Sequence, residues 1–105
     1  MEETIKETTD EKFNRMRDAW RADWESMPKH LRTGNFSLRH PGYQEIISLG
    51  QGDQNRTLEL IINDMRAGGR GWLPALRLIT KIDPGRRKEN EDLACRAWVE
   101  WFESL

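Results

Sequence analysis

Cysteine is nearly absent from this chain: among 105 residues there is one, Cys95. A single thiol cannot close an internal disulfide, and it cannot build a cysteine-based zinc site. A reducing, cytoplasmic setting is therefore expected. Histidine is almost as scarce, with only His30 and His40, and neither stands in a His-x-x-x-His or His-Glu-x-x-His pattern. No metal ligand set and no cofactor are expected from such a chain. No apolar run approaches the roughly 18 residues of a membrane span. The opening Met1-Glu2-Glu3-Thr4-Ile5-Lys6-Glu7 is acidic and lacks the apolar stretch of a secretion signal. No membrane partner is expected. Sustained alternation of period two is missing, so no sheet is expected. An excess of one charge is missing too: 17 Lys plus Arg stand against 18 Asp plus Glu. That balance gives no general reason to expect nucleic acid as a partner.

Hydrophobic residues make up only 36% of the chain, yet five of them are Trp. They fall into helical stripes. Thr8 and Glu11 have the spacing of a capping box, in which a hydroxyl and a carboxylate each take one free amide of the first turn. Phe13, Met16, Trp20, Trp24 and Met27 then recur on one helical face, and Pro28 ends the run. Residues 28–39 read as a connector with a Gly34-Asn35 turn signal. His40-Pro41 opens a second helix, since proline is well suited to a first helical position. Tyr43, Ile46, Ile47 and Gly50 share its face, and Gly50 reads as its stop. A short polar loop, with Asp53 as a plausible cap, leads to a third helix bearing Leu58, Ile61, Ile62 and Met65. Gly68-Gly69-Arg70-Gly71 ends that helix. A fourth helix opens at Trp72-Leu73-Pro74, with Leu73, Leu76, Ile79 and Ile82 as its stripe. Asp83-Pro84-Gly85 turns the chain into a last helix from Asn90 to Leu105, with Ala94, Ala97, Trp98, Trp101, Phe102 and Leu105 inward. The expected fold is all-α: one compact five-helix domain, made of two helical hairpins (a HEAT-like pair) plus the N-terminal amphipathic helix over residues 8–27. Residues 40–105 form its helical core. Trp72, Trp98 and Trp101 are expected to close the core between the last two helices.

The near-zero net charge hides segregation. Residues 1–12 sum to −3, residues 13–65 to zero, residues 66–88 to +6 and residues 89–105 to −4. The plain account of the basic block is helix electrostatics, because cations suit helix C-termini. The sharper account is that Arg70, Arg86, Arg87 and Lys88 cluster on two loops and bind an acidic partner, since arginine forks suit carboxylate and phosphate alike. The same block could hold a nucleic-acid backbone, although the acidic flanks oppose that. On the first helix, Trp20 and Trp24 lie one turn apart with Arg17 and Arg21 beside them. Packing against the rest of the domain is the favoured account. The alternative is an aromatic face that anchors a partner, because Trp, Tyr and Arg dominate interface hot spots.

Catalytic chemistry finds no support. Cys95 and His40 could in principle meet as nucleophile and base, but a lone cysteine beside an apolar helix face is usually packing. The glycine-rich segment 68–71 lacks the preceding strand and the Lys-Ser/Thr ending of a phosphate loop. Glu91 and Asp92 are neighbours that point to different sides of a helix. No catalytic residue is assigned.

From His40 onward the chain shows a recurring layout: His40-Pro41-Gly42-Tyr43-Gln44-Glu45-Ile46-Ile47, then Leu60-Ile61-Ile62, then Trp72, Ala75-Leu76, Ile79-Thr80 and Asp83-Pro84, and last Ala97-Trp98 with Trp101. This resembles a family of small bacterial helical proteins of uncharacterised function with an HPxYQxII…ALxxIT…DP…AWxxW pattern. It covers residues 38–105 or so. The resemblance implies kinship in fold and transfers no activity, cofactor or catalytic residue. Relatives usually have Gly where Lys81 stands and a second aromatic near Leu73-Pro74. Small bacterial genes of this kind often encode partners of neighbouring proteins. The functional expectation is thus a non-enzymatic protein-interaction domain, antitoxin-like or inhibitor-like, with Trp20, Trp24, Arg17, Arg21, Arg70, Arg86, Arg87 and Lys88 as candidate contacts. The alternative is a nucleic-acid-binding accessory protein using residues 66–88. A second copy of the chain is a further candidate partner, because so little aliphatic material gives a thin core.

Overall fold

Thr8 starts the first helix as the sequence requires. Its hydroxyl accepts the Glu11 amide at 3.1 Å while the Glu11 carboxylate accepts the Thr8 amide at 2.9 Å. The computed structural model describes residues 8–32, 34–84 and 90–105, and all its regular elements are helical. Helix α1 (Thr9–Ser26) buries Phe13, Met16 and Trp20 and ends just before Pro28.

The connector is more ordered than its composition suggests. It holds a 3-10 turn (Lys29–Leu31) and a short helix α2 (Gly34–Arg39), so the described residues contain six α-helices where five were expected. Six residues are too few for intrinsic propensity to hold a helix. Tertiary contacts hold α2 instead: buried Ser37 accepts the Trp20 indole N–H at 3.2 Å, and the Phe36 ring lies 6.3 Å from that of Trp24.

Helix α3 (Pro41–Gly52) begins at His40, whose Nδ1 accepts the Gly42 amide at 3.0 Å. It packs against α1, α2, α4 (Gln54–Arg66) and α5 (Leu73–Thr80), and so forms the hub of the domain. Two glycines let it approach its neighbours. A Cβ at Gly42 would lie 2.8 Å from the Met16 carbonyl oxygen of α1, and one at Gly50 would lie 2.6 Å from Ile79 Cδ1 of α5. Gly50 is therefore a close-packing residue inside the last turn, not the stop that the sequence suggested. The polar loop shrinks to Asp53 alone, which ends α3 and begins α4 without a side-chain cap bond.

Helix α4 buries Leu58, Ile61, Ile62 and Met65 as the spacing requires, together with Thr57. Helix α5 turns Ala75, Leu76 and Ile79 inward, while Ile82 beyond it is 42% exposed. Helix α6 (Glu91–Glu103) is capped by Asn90, whose side chain accepts the Leu93 amide, and it buries Ala94, Cys95 and Trp98, whereas Leu105, expected inward, lies beyond the helix end and is exposed.

The first expected hairpin, α3 with α4, forms. The second does not form as a packed pair: α5 lies on α3 and α2, whereas α6 lies on α4. The ring contacts of Trp72 lie with α1 and α3. It stacks on Phe13 at 5.5 Å and on Tyr43 at 5.8 Å and lies 5.1 Å from Trp20, within an aromatic cluster between α1 and α3. Trp98 and Trp101 meet edge to face on α6 itself.

Helix α5 ends at Lys81, whose φ of 66° is left-handed. That conformation costs an L-residue with a Cβ about 1–2 kcal/mol and glycine almost nothing. Lys81→Gly is therefore expected to stabilise the fold by about 0.5–1 kcal/mol, after the added freedom of the unfolded chain is subtracted. Urea unfolding of the two proteins measures this. A lower midpoint for the glycine variant contradicts it.

Candidate functional site

An acidic side chain in the last turn of a helix opposes the helix dipole. Asp64 occupies such a place near the end of α4, and its surroundings explain why it is tolerated. The Arg21 guanidinium meets it as a fork, with Nη1 to Oδ1 at 3.2 Å and Nη2 to Oδ2 at 2.8 Å. The indole N–H of fully buried Trp72 donates to Oδ2 at 2.7 Å. Arg17 adds its charge at 3.6 Å. The Asp64 side chain is only 10% exposed. Burial pushes its carboxyl up, but the Arg21 and Trp72 bonds and the arginine charges outweigh that and hold it below the ordinary value of 3.8.

These contacts join three parts of the chain: α1, α4 and the glycine-rich segment between α4 and α5. The segment is shaped to let them meet. Gly69 passes so close to Asp64 that a Cβ would lie 2.0 Å from Oδ2, and the Gly69 amide donates to the Asp64 carbonyl at 2.8 Å. Gly71 has a φ of 91°, and a Cβ there would lie 2.8 Å from the Trp20 ring. The Gly71 carbonyl accepts the Tyr43 hydroxyl at 2.7 Å, and that oxygen in turn accepts the Ala75 amide at 3.0 Å. Burial pushes the Tyr43 phenol well above its ordinary range. The glycines stop α4, as expected, and also seat the loop against α1.

Beside this junction lies an open cleft of about 360 Å³, lined by Arg21, Trp24 and Glu25 of α1, by Arg32, by Asp64, and by the loop Ala67–Arg70. Candidate residues from two distant stretches of sequence, Arg21 with Trp24 and Arg70, thus meet at one place. Trp20 does not line the cleft. It is completely buried, in ring contact with Trp24, Tyr43 and Trp72, and Arg21 stacks over it at 5.2 Å. Arg17 lies over the Phe13 ring at 5.7 Å and pairs with Asp18. The N-terminal helix therefore packs on its own domain, and Trp20 acts from inside it. Arg70 donates to Asp92 of α6 at 2.9 Å and 2.7 Å, and this bond raises its already high pKa. Arg86, Arg87 and Lys88 lie outside the described residues.

Two site residues escaped the sequence reading, Asp64 and Arg32. Asp64 carried a signal, an acid where the dipole disfavours one. Arg32 carried none: it reaches back from the 3-10 turn to donate to the Glu25 and Met27 carbonyls at 2.9 Å and 3.0 Å, at the end of α1. Helix α1 has no basic residue in its own last turn, so Arg32 supplies the favourable cation there.

The residues considered for nucleophilic chemistry lie elsewhere. Burial pushes the Cys95 thiol up to about 11, the opposite of what an attacking thiolate needs. His40 is engaged on both nitrogens, by the Gly42 amide and, through Nε2, by Asp23 Oδ2 at 2.6 Å. No group of three or more His, Cys, Asp or Glu residues that could hold a metal occurs among the described residues, and no described helix is long and apolar enough to cross a membrane. No family model, curated protein or solved structure matches the chain.

Because the folded-state pKa of Asp64 lies below its unfolded value, its contribution is full above the unfolded value near 3.8 and is lost as pH falls through the lower folded value. Asp64→Asn is expected to destabilise the protein by about 2–4 kcal/mol at pH 7, because Arg21 loses its counter-charge and Arg17 keeps only Asp18. The variant should also lose less of its remaining stability than wild type between about pH 4 and pH 2. Denaturant titrations at several pH values measure both. Parallel acid limbs in the two proteins contradict the assignment.

Proposed function

We propose that the chain is a non-enzymatic protein-interaction domain, an antitoxin-like or inhibitor-like partner of a neighbouring gene product, working in the cytoplasm. The observation that carries this reading is the cleft, where Trp24, Arg21 and Arg70 converge from separate parts of the sequence. Trp and Arg are the side chains most enriched among interface hot spots, especially where a pocket receives a partner's anchor. The kinship suggested by the His40 to Trp101 layout belongs to the same proposal, since small bacterial proteins of that kind are often encoded beside their targets.

The charge pattern supports a protein partner over nucleic acid. Of the bases between residues 66 and 84, Arg66 pairs with Glu103 at 2.8 Å, Arg70 with Asp92 at 2.7 Å and Arg77 with Asp83 at 3.6 Å. Three of the four described bases of this stretch thus already face carboxylates at the protein's own surface. A phosphate backbone would have to displace several of them, and phosphate binding draws its strength from unneutralised cations.

Affinity capture from the native host, together with co-expression of adjacent genes, tests the reading. The wild-type protein is expected to hold a defined protein partner, and Trp24→Ala with Arg70→Glu to lose at least 90% of it while keeping the wild-type circular dichroism, roughly the tenfold loss set by one or two hot-spot contacts. Retention of nucleic acid with no protein partner overturns it.

A further inference from the structure

We infer that the cleft between α1 and the α4–α5 loop is a carboxylate site for an acidic peptide segment, with Arg32 and Arg70 as its anion holders and Asp92 as the internal carboxylate that the peptide displaces. The inference rests on the interaction reading above and names the chemistry of the partner.

The three arginines of the cleft are not equivalent. Arg21 is committed to Asp64, which is almost buried. Arg70 holds Asp92, whose side chain is 76% exposed. An exposed pair of this kind contributes little to stability, so its carboxylate exchanges at small cost. Arg32 differs from both. It donates to the neutral carbonyls of Glu25 and Met27, so among the described residues it pairs with no carboxylate, and Nη1 takes part in neither bond. One cleft therefore holds a cation with an exchangeable carboxylate and another with none. The half-buried ring of Trp24 forms an apolar wall between α1 and the loop.

The lining also selects among anions. In the lining, three arginines stand against Glu25 and Asp64, and the excess of one positive charge is the one that Asp92 meets through Arg70 until it is displaced. One carboxylate at a time matches that excess. A phosphodiester chain would bring repeated charges toward Glu25 and Asp64, and a phosphate dianion would overfill the site. Arginine forks bind carboxylates in two parallel bonds, and an apolar side chain next to the acid in the peptide would lie on Trp24.

Fluorescence anisotropy of a labelled peptide of alternating Glu and Leu, titrated with the full chain at low salt, tests this. The same peptide with Gln for Glu, a single-stranded oligonucleotide of equal length and inorganic phosphate as competitor form the other arms. The acidic peptide is expected to bind at least tenfold more tightly than the Gln peptide and the oligonucleotide, and to weaken as salt is added. Arg70→Gln and Arg32→Gln should each weaken it about tenfold. Asp92→Asn should tighten it several-fold, an effect that a purely structural Arg70–Asp92 bond would not produce. Arg32→Gln also removes a helix-end contact, so circular dichroism is checked, and Arg70→Gln with Asp92→Asn decide the matter if that variant fails to fold. Equal binding of the Gln peptide, tighter binding of the oligonucleotide, or unchanged affinity in Asp92→Asn overturns the inference. Host capture separates it from the broader reading: a partner retained by Arg70→Gln together with Asp92→Asn leaves the interaction domain standing and removes this site.

Discussion

Asp64 accepts from one helix and from the far side of one loop at the same time. Its carboxylate takes the Arg21 fork from α1 and the Trp72 indole from the start of α5. Most of what gives this small domain its shape depends on that carboxylate being ionised and enclosed. Two partly buried arginines need a counter-charge, and a fully buried indole N–H needs an acceptor. One side chain satisfies all three. The arrangement also holds Trp20 and Trp72 in ring contact, with Arg21 over both, so the polar clamp and the aromatic cluster reinforce each other.

The clamp explains how a chain with little aliphatic material builds a core. The largest fully buried side chains are Trp20, Trp72, Trp98, Tyr43 and Phe13. Four of those five sit in one cluster between α1, α3 and the α4–α5 loop, and their polar ends reach Ser37, Asp64 and the Gly71 carbonyl. Large rings bury much area with few rotatable bonds, and Trp and Tyr are tolerated inside where their N–H or O–H finds a partner. Gly42, Gly50, Gly69 and Gly71 supply the opposite quality, close approach. Function follows from the same geometry. Docking α1 through Arg21 leaves Trp24 and the end of the helix beside the loop, and the space between them is the cleft.

Local signals were legible in the sequence and long-range pairings were not. The Thr8 capping box, proline at the head of α3 and the inward stripes of α1 and α4 each depend on residues within a turn or two of one another. They appear where the spacing puts them. Helix α2 was hidden because its stability comes from Trp20 and Trp24, about fifteen residues away. The second hairpin was wrongly inferred because short connections suggest adjacent packing, whereas α6 turns away from α5 to cover α4. Of the candidate site, Trp24, Arg21 and Arg70 were recognised as residue types but not as neighbours. Only the fold could bring them together, and only the fold showed that Trp20 acts from the interior.

A double-mutant cycle between Arg21 and Asp64 addresses the central claim most directly. The stabilities of wild type, Arg21→Gln, Asp64→Asn and the double variant give the coupling between the two side chains. A clamp of the kind described here should show about 2 kcal/mol or more, as expected for a partly buried, two-bond ion pair. A coupling below about 0.5 kcal/mol, the scale of an exposed surface pair, would contradict it.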